Sequence, residues 1–213
     1  MNNNTPPCRF DLTFIVLGIQ NLSTIIPKNF VEIGSRDGYD ANFVANHFGI
    51  NHKDCIVFEP HPQSCNDIIE KYPHLTTFNN AISADASIKE FYIDKENVGA
   101  CSLLKREGID QDFIKVECID MVSVINNLNL TNIDICKIDT EGTTLDVLKS
   151  FSDKISLVKS IQLECETIKS WENQSLYLEI KEFLHLHNFV EVLFCRLHAG
   201  QIDDFWIQGP FLK

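Results

Sequence analysis

Residues 133–148 read IDICKIDTEGTTLDVL. Ile133, Ile135, Cys136 and Ile138 make an apolar run of strand length. Lys137, Asp139 and Glu141 then crowd the point where the run ends. Gly142 permits a turn, and Thr144 opens an apolar pattern of helical length. A strand that only had to stop could do so with one turn dipeptide. Three charges alternating along extended chain can instead point to one side and face a ligand.

Working outward, the same strand–turn–helix unit recurs. Phe30–Ile33 is a strand closed by Gly34 and followed by a helix at Tyr39–Phe48, with Phe43, Val44 and Phe48 as its apolar stripe. Cys55–Phe58 is a strand followed by a helix over Pro62–Tyr72, its proline near the first turn. Thr76–Asn79 is a third strand, and Lys89–Ile93 and Phe113–Cys118 are strands in a less regular stretch. Asp120 caps a helix running to Asn127. Ile133–Ile138, a helix at Thr144–Phe151, a strand at Lys159–Glu164 and a helix at Ser175–His187 continue the alternation. Val190–Arg196 and Asp203–Gln208 are close enough for a hairpin. Upstream, Asp11–Ile26 reads as a helix ended by Pro27. Alternation predicts an α/β sheet of mostly parallel strands with helices on both faces, to which the hairpin adds one antiparallel strand. Residues 1–29 are expected as a tail and helix packed on a single domain, 30–213.

Composition narrows the function. The 213 residues carry 18 basic and 30 acidic side chains, a net charge of −12. Nucleic acid and anionic membranes are poor partners for such a chain. The apolar run FIVLGI (14–19) is far short of the ~20 residues a membrane span needs, and it lacks the flanks of a signal peptide. A cytoplasmic location is the expectation. The eight cysteines form no CxxC pair, which speaks against a zinc ribbon. Cys55, Cys118, Cys136, Cys165 and Cys195 lie in or beside apolar runs and are expected as buried, reduced side chains.

In open α/β sheets ligands bind beyond the carboxyl ends of the strands, so the strand ends carry the functional reading. FVEIGSRDGYD (30–40) offers Glu32, Gly34 and Gly38, with a helix N-terminus near Gly38. IVFEPHP (56–62) places Glu59 directly after a buried strand, at the distance from Gly34 where nucleotide-binding folds put an acid on a ribose diol. TTFNNAISAD (76–85) offers Asn80 to a base edge and Ala81–Ile82 to a planar ring. IQLECE (161–166) adds Glu164 and Glu166. Acids gathered at one edge repel one another and need a cation, a proton or a polar ligand.

FVEIGSRDGYD, IVFEPHP, NNAIS, ICKIDTEGTTLDVLKSF and IQLECE, in this order, resemble the FkbM-type methyltransferases, which use S-adenosylmethionine (SAM). ACSLL (100–104) and ECIDMVSVI (117–125) fit the same pattern. The resemblance spans roughly Phe30 to Glu166 and implies a Rossmann-like class I methyltransferase fold, seven-stranded with the last strand antiparallel. It implies that the loop from Glu32 to Gly38, with Gly34, Ser35 and Asp37, holds the methionine part of SAM. Glu59, beside Pro60, would bind the ribose, and Asn80 and Ala81 would flank the adenine. Asp139 and Glu141 would lie where the methyl group is presented. The implied activity is methylation of oxygen, on a sugar, polysaccharide or secondary metabolite.

Methyl transfer to a hydroxyl needs alignment and a base, or a metal that lowers the hydroxyl pKa. Asp139, Glu141 and Glu164 are the catalytic candidates, followed by His61, His198 and Lys137. Asp139 could equally bind the methionine amino group, Glu141 could cap the next helix, and Lys137 could be a counter-ion. A divalent cation on three carboxylates is the open alternative, although no spacing is diagnostic of one. Substrate specificity is expected from Asp94–Gln111 and the C-terminal segment. The acceptor is a small molecule or glycan, and a homo-oligomer is left open. Three other readings stand beside this one: a nicotinamide-dependent oxidoreductase, whose GxGxxG spacing is missing here, a non-catalytic SAM-binding module, and a protein or nucleic-acid methyltransferase, whose nucleic-acid form the acidic balance disfavours.

Overall fold

The structure is a computed structural model that describes residues 10–95, 98–198 and 200–213. The Asn-rich start, Cys8 and the side chain of His198 lie outside the described residues. Seven strands form the main sheet in the order β3 (Thr76–Phe78), β2 (Cys55–Phe58), β1 (Phe30–Ile33), β7 (Ile135–Ile138), β8 (Ser160–Glu166), β10 (Gln201–Gln208), β9 (Phe189–His198). Pairings from β3 through β8 are parallel, and β10 lies antiparallel between β8 and β9. The expected mostly parallel sheet with one antiparallel strand is therefore present.

Helices cover both faces. On one side α1 (Phe10–Leu17), α2 (Tyr39–Phe48) and α3 (Pro62–Lys71) enclose Phe30, Val57, Ile135, Phe205 and Ile207. On the other, α4 (Met121–Asn127), α5 (Thr144–Lys149) and α6 (Tyr177–Leu186) enclose Val31, Ile33, Ile138, Leu163 and Trp206. Burial on both faces explains why the strands read as near-continuous apolar runs. Among the exceptions are Glu32, Lys137 and Gln162, which are buried in adjacent strands. By strand alternation they face the α1–α3 layer.

Three features depart from the expected elements. The first helix does not reach Ile26: α1 ends at Leu17 and a π-helical stretch carries the chain to Leu22. Gly18 lies flat against the Phe205 ring, where a Cβ would come within 2.3 Å of ring carbons. The Ser23 hydroxyl donates to the Ile19 carbonyl and ends the turn there. Second, Ala81–Ile82 forms a short strand, β4, paired with β6 (Asp112–Ile119) in a separate sheet that also holds β5 (Ile88–Ile93). Two residues are too few to give a periodic signal. Third, Cys195 is only partly buried, whereas Cys55, Cys118, Cys136 and Cys165 are buried; all are free thiols. Among the described residues no helix is long and apolar enough to cross a membrane.

One buried acid on β10 lies outside the carboxylate cluster at the strand ends. Asp204 is fully buried, and neither carboxylate oxygen has a hydrogen-bond partner among the described residues; the Trp206 indole approaches without completing a bond. Burial, then repulsion from Glu191 and Asp203, holds its pKa well above the ordinary value. An acid whose folded pKa is raised stabilises best at low pH and loses that stability as pH rises from its unfolded pKa towards its folded one. Asp204→Asn should therefore be more stable by about 1–3 kcal/mol at pH 7 and close to wild type near pH 4. Urea unfolding at both pH values measures this, and a gap that does not widen with pH would refute it.

Candidate active site

The sheet order reverses between β1 and β7, and a ligand crevice opens where their connections diverge. Gly34 (φ 84°) lets the two strand ends approach, since a Cβ there would sit 1.9 Å from the Asp139 carbonyl oxygen. The glycine thus fits β1 against β7 as well as lining the cavity.

Lys137 is buried at the base of the crevice. Its Nζ lies 2.5 Å from Asp40, 2.9 Å from Asp11, 3.4 Å from Asp139 and 4.0 Å from Glu32. Burial opposes its charge, but Asp139, Asp11 and Glu32 outweigh it and raise its pKa. One ammonium thus joins α1, α2, β1 and the loop after β7. Glu32 is fully buried, and its Oε2 accepts the Ala41 N–H at 3.2 Å near the start of α2. Burial, partly offset by Lys137, pushes Glu32 up to about 7.

Asp139, Glu141 and Glu164 present carboxylate oxygens that all lie within 4.8 Å of one another. Glu164 arrives from β8. Glu141 arrives by a different route from the expected alternation: β7 ends at Ile138, and Glu141 (φ 49°) and Gly142 (φ 85°) form a left-handed turn that brings the side chain back. Burial first, then Asp139 and Glu166, pushes Glu141 up to about 8. Burial, then Asp139 and Glu141, pushes Glu164 up to about 10. Glu166 and Asp203 are each raised to about 7, mainly by burial. Lys137, with Arg36 and Arg106 acting on Glu141, does not balance this many acids, so protons are retained. Thr140 Oγ1 and Glu164 Oε1, on residues that line the cavity, have no hydrogen-bond partner among the described residues.

Glu59 anchors the other end of the crevice. Its Oε2 accepts the Arg36 N–H at 2.7 Å and its Oε1 the His61 N–H at 2.8 Å. The carboxylate is buried, which raises its pKa, while both N–H bonds oppose the rise. Each oxygen keeps a lone pair for a ligand hydroxyl. His61 itself caps α3, its Nδ1 accepting the Ser64 N–H at 3.3 Å. Phe58, Ala81, Ile82 and Phe91 make an apolar wall beside Pro60 and Asn80. The cavity measures about 270 Å³, near the ~300 Å³ lower end of small-molecule sites. A nucleoside fits this chemistry: a diol acceptor, an apolar slot and a polar end.

Gly34, Ser35, Glu59, Pro60, Asn80, Ala81, Asp139, Glu141 and Glu164 line one cavity, as do His61 and Lys137. Glu32, Asp37 and Gly38 lie behind it. Glu32 holds α2, Asp37 accepts the Tyr39 N–H at 3.0 Å, and Gly38 packs on Ile68 and Tyr72 of α3 and its C-cap. Cavity-lining Asp11, Asp40 and Phe91 are absent from the sequence-derived set, whereas Arg36 falls in the Glu32–Gly38 loop and Cys101 and Leu103 in the Asp94–Gln111 stretch, none of them singled out there. Asp11 carries no motif signal, because only the packing of α1 brings it there.

The sheet, its single antiparallel strand and the crevice at the switch point define the Rossmann-like fold of the SAM-dependent methyltransferases. Residues 32–191 match the FkbM methyltransferase domain, and the chain belongs to that family. Among solved structures, it is similar to an FkbM methyltransferase from Methylobacillus flagellatus KT (10% identity, 84% of this chain and 44% of that one, TM-score 0.53). It is also similar to an O-methyltransferase from Bacillus cereus in complex with S-adenosylhomocysteine (14%, 97% and 84%, 0.51). A third is magnesium protoporphyrin IX methyltransferase from Synechocystis PCC 6803 with bound SAM (9%, 93% and 76%, 0.50). The chain spans about three fifths of the length of some other structures it matches. No curated protein sequence matches it.

Proposed function

We propose that this protein transfers a methyl group from SAM to a hydroxyl of a sugar, polysaccharide or small metabolite. The observation that carries the reading is the gathering of Asp139, Glu141 and Glu164 within 4.8 Å at one end of a cavity whose other end holds Glu59 on two backbone N–H groups. Glu59 would hold the ribose hydroxyls, Asn80 and Ala81 the adenine, and the Gly34–Ser35 turn the amino-acid end. SAM, when bound, supplies the activated methyl group. The chain's own residues align the hydroxyl and accept its proton. Asp139, the one member of the trio paired with Lys137, is the proposed base. Glu141 and Glu164, with raised pKa values, donate hydrogen bonds at neutral pH and orient neighbouring hydroxyls. So acidic a rim favours a neutral polyol over an anionic acceptor. Free thiols support a reducing compartment, consistent with the cytoplasm.

A second reading adds a divalent cation on the same three carboxylates, which have the oxygen chemistry for Mg²⁺ or Ca²⁺. One set of titrations tests both. S-adenosylhomocysteine should bind with micromolar affinity, and Glu59→Ala should weaken it by about 1–3 kcal/mol, the value of charged hydrogen bonds. Absence of binding to folded protein would end the methyltransferase reading. Binding without transfer to any acceptor would favour the non-catalytic module. Transfer unchanged by chelator would remove the cation.

A further inference from the structure

The segment between β5 and β6 makes one contact with the catalytic turn that the proposed chemistry leaves unexplained. Ser102 is 1% exposed, and its hydroxyl donates to the Glu141 carbonyl at 2.6 Å. The same oxygen accepts the Leu104 N–H at 3.0 Å, so the hydroxyl is used in both directions. The Ser102 backbone is itself fixed, donating to and accepting from Tyr92 at 3.2 and 2.7 Å. Glu141 needs such a tie. Its backbone sits at φ 49°, a left-handed region that a non-glycine residue keeps only where its surroundings enforce it. Gly142, also left-handed, packs on the Trp171 ring, where a Cβ would approach to 3.0 Å. The segment between β5 and β6 reaches that side too: Arg106 bridges to Trp171, and Glu107 donates its N–H to the Ser170 carbonyl.

We propose that Ser102 is a positioning residue, which holds the Glu141 turn in its left-handed conformation and so aims the Glu141 carboxylate at the acceptor side of the cavity. The aim at an acceptor rests on the function proposed above; the mechanical link does not. Without the hydroxyl the turn relaxes, and the Glu141 carboxylate swings away from Asp139 and Glu164.

The test reads the backbone of Glu141 directly, from its three-bond HN–Hα and one-bond Cα–Hα NMR couplings, which distinguish a positive from a negative φ. Wild type should show the left-handed value, and Ser102→Ala should lose it. Ser102→Thr and Ser102→Val both add methyl bulk and differ only in the hydroxyl. A packing defect would move both alike, whereas positioning predicts that Thr keeps the left-handed turn and Val loses it. An Ala variant with the wild-type couplings, or a Thr and Val pair that behave identically, overturns the proposal. S-adenosylhomocysteine binding is measured in parallel. A relaxed turn in a variant of a protein that never binds it would sink the methyltransferase reading and leave the positioning role standing.

Discussion

Lys137→Met should destabilise the protein by roughly 3–5 kcal/mol, the cost of leaving buried charges unpaired, and lower Tm by roughly 6–20 °C. Methionine matches the stem and removes only the charge. The four carboxylates within 4.0 Å then face one another in a buried site. They respond by holding protons, so their folded pKa values rise above the unfolded ones. Stability from such groups is present at low pH and lost as pH rises through the folded values. Glu32, already near 7 with the cation in place, must rise further without it. The deficit should therefore be larger at pH 8 than at pH 5. Adding Asp40→Asn should recover part of it, because Asp40 is the closest partner. Thermal unfolding of the three proteins at both pH values gives the answer. A loss below 2 °C at pH 8, on the same scale, would mean the acids find other compensation.

Asp139→Asn should reduce methyl transfer by about 10²–10⁴-fold, the usual worth of a positioned general base, while the protein stays folded. Asparagine keeps the shape and cannot take a proton. Two roles compete for Asp139, and two measurements separate them. A base is needed only for transfer, so S-adenosylhomocysteine affinity should change little, whereas an amino-group ligand would lose affinity in step with rate. Asp139 is also the most accessible of the Lys137 partners, its side chain 32% exposed against 16% or less for the others. Its loss should therefore cost less stability than the loss of the lysine. Full activity in the variant, assayed on an acceptor that the wild type methylates, would pass the role to Glu141 or Glu164.

Much of this was legible in the residues. The strands Phe30–Ile33 and Cys55–Phe58 have the boundaries read from pattern alone, because a strand buried on both faces is mostly apolar, Glu32 being the exception in the first. Glu59 was legible for the same reason, since a charge directly after a buried strand has a fixed place. The ordered motifs also carried the family, because a ligand's chemistry constrains each strand end in turn.

What the sequence left undetermined depends on contacts between residues far apart in the chain. Glu32 reads as a ligand residue, yet strand alternation turns it into the α2 layer, where Ala41 and Lys137 claim it. Asp11 reads as part of a helix packed on the core, and only the docking of α1 sets it 2.9 Å from Lys137. The raised proton affinities of Glu141 and Glu164 come from burial and from each other's fields, which exist only once β7 and β8 lie side by side. The sequence by itself determined the strands of the main sheet to within a few residues and what kind of ligand their ends suit. Only the tertiary structure decided which of those charges meet, because charge interactions depend on distance and solvent exposure, and folding sets both.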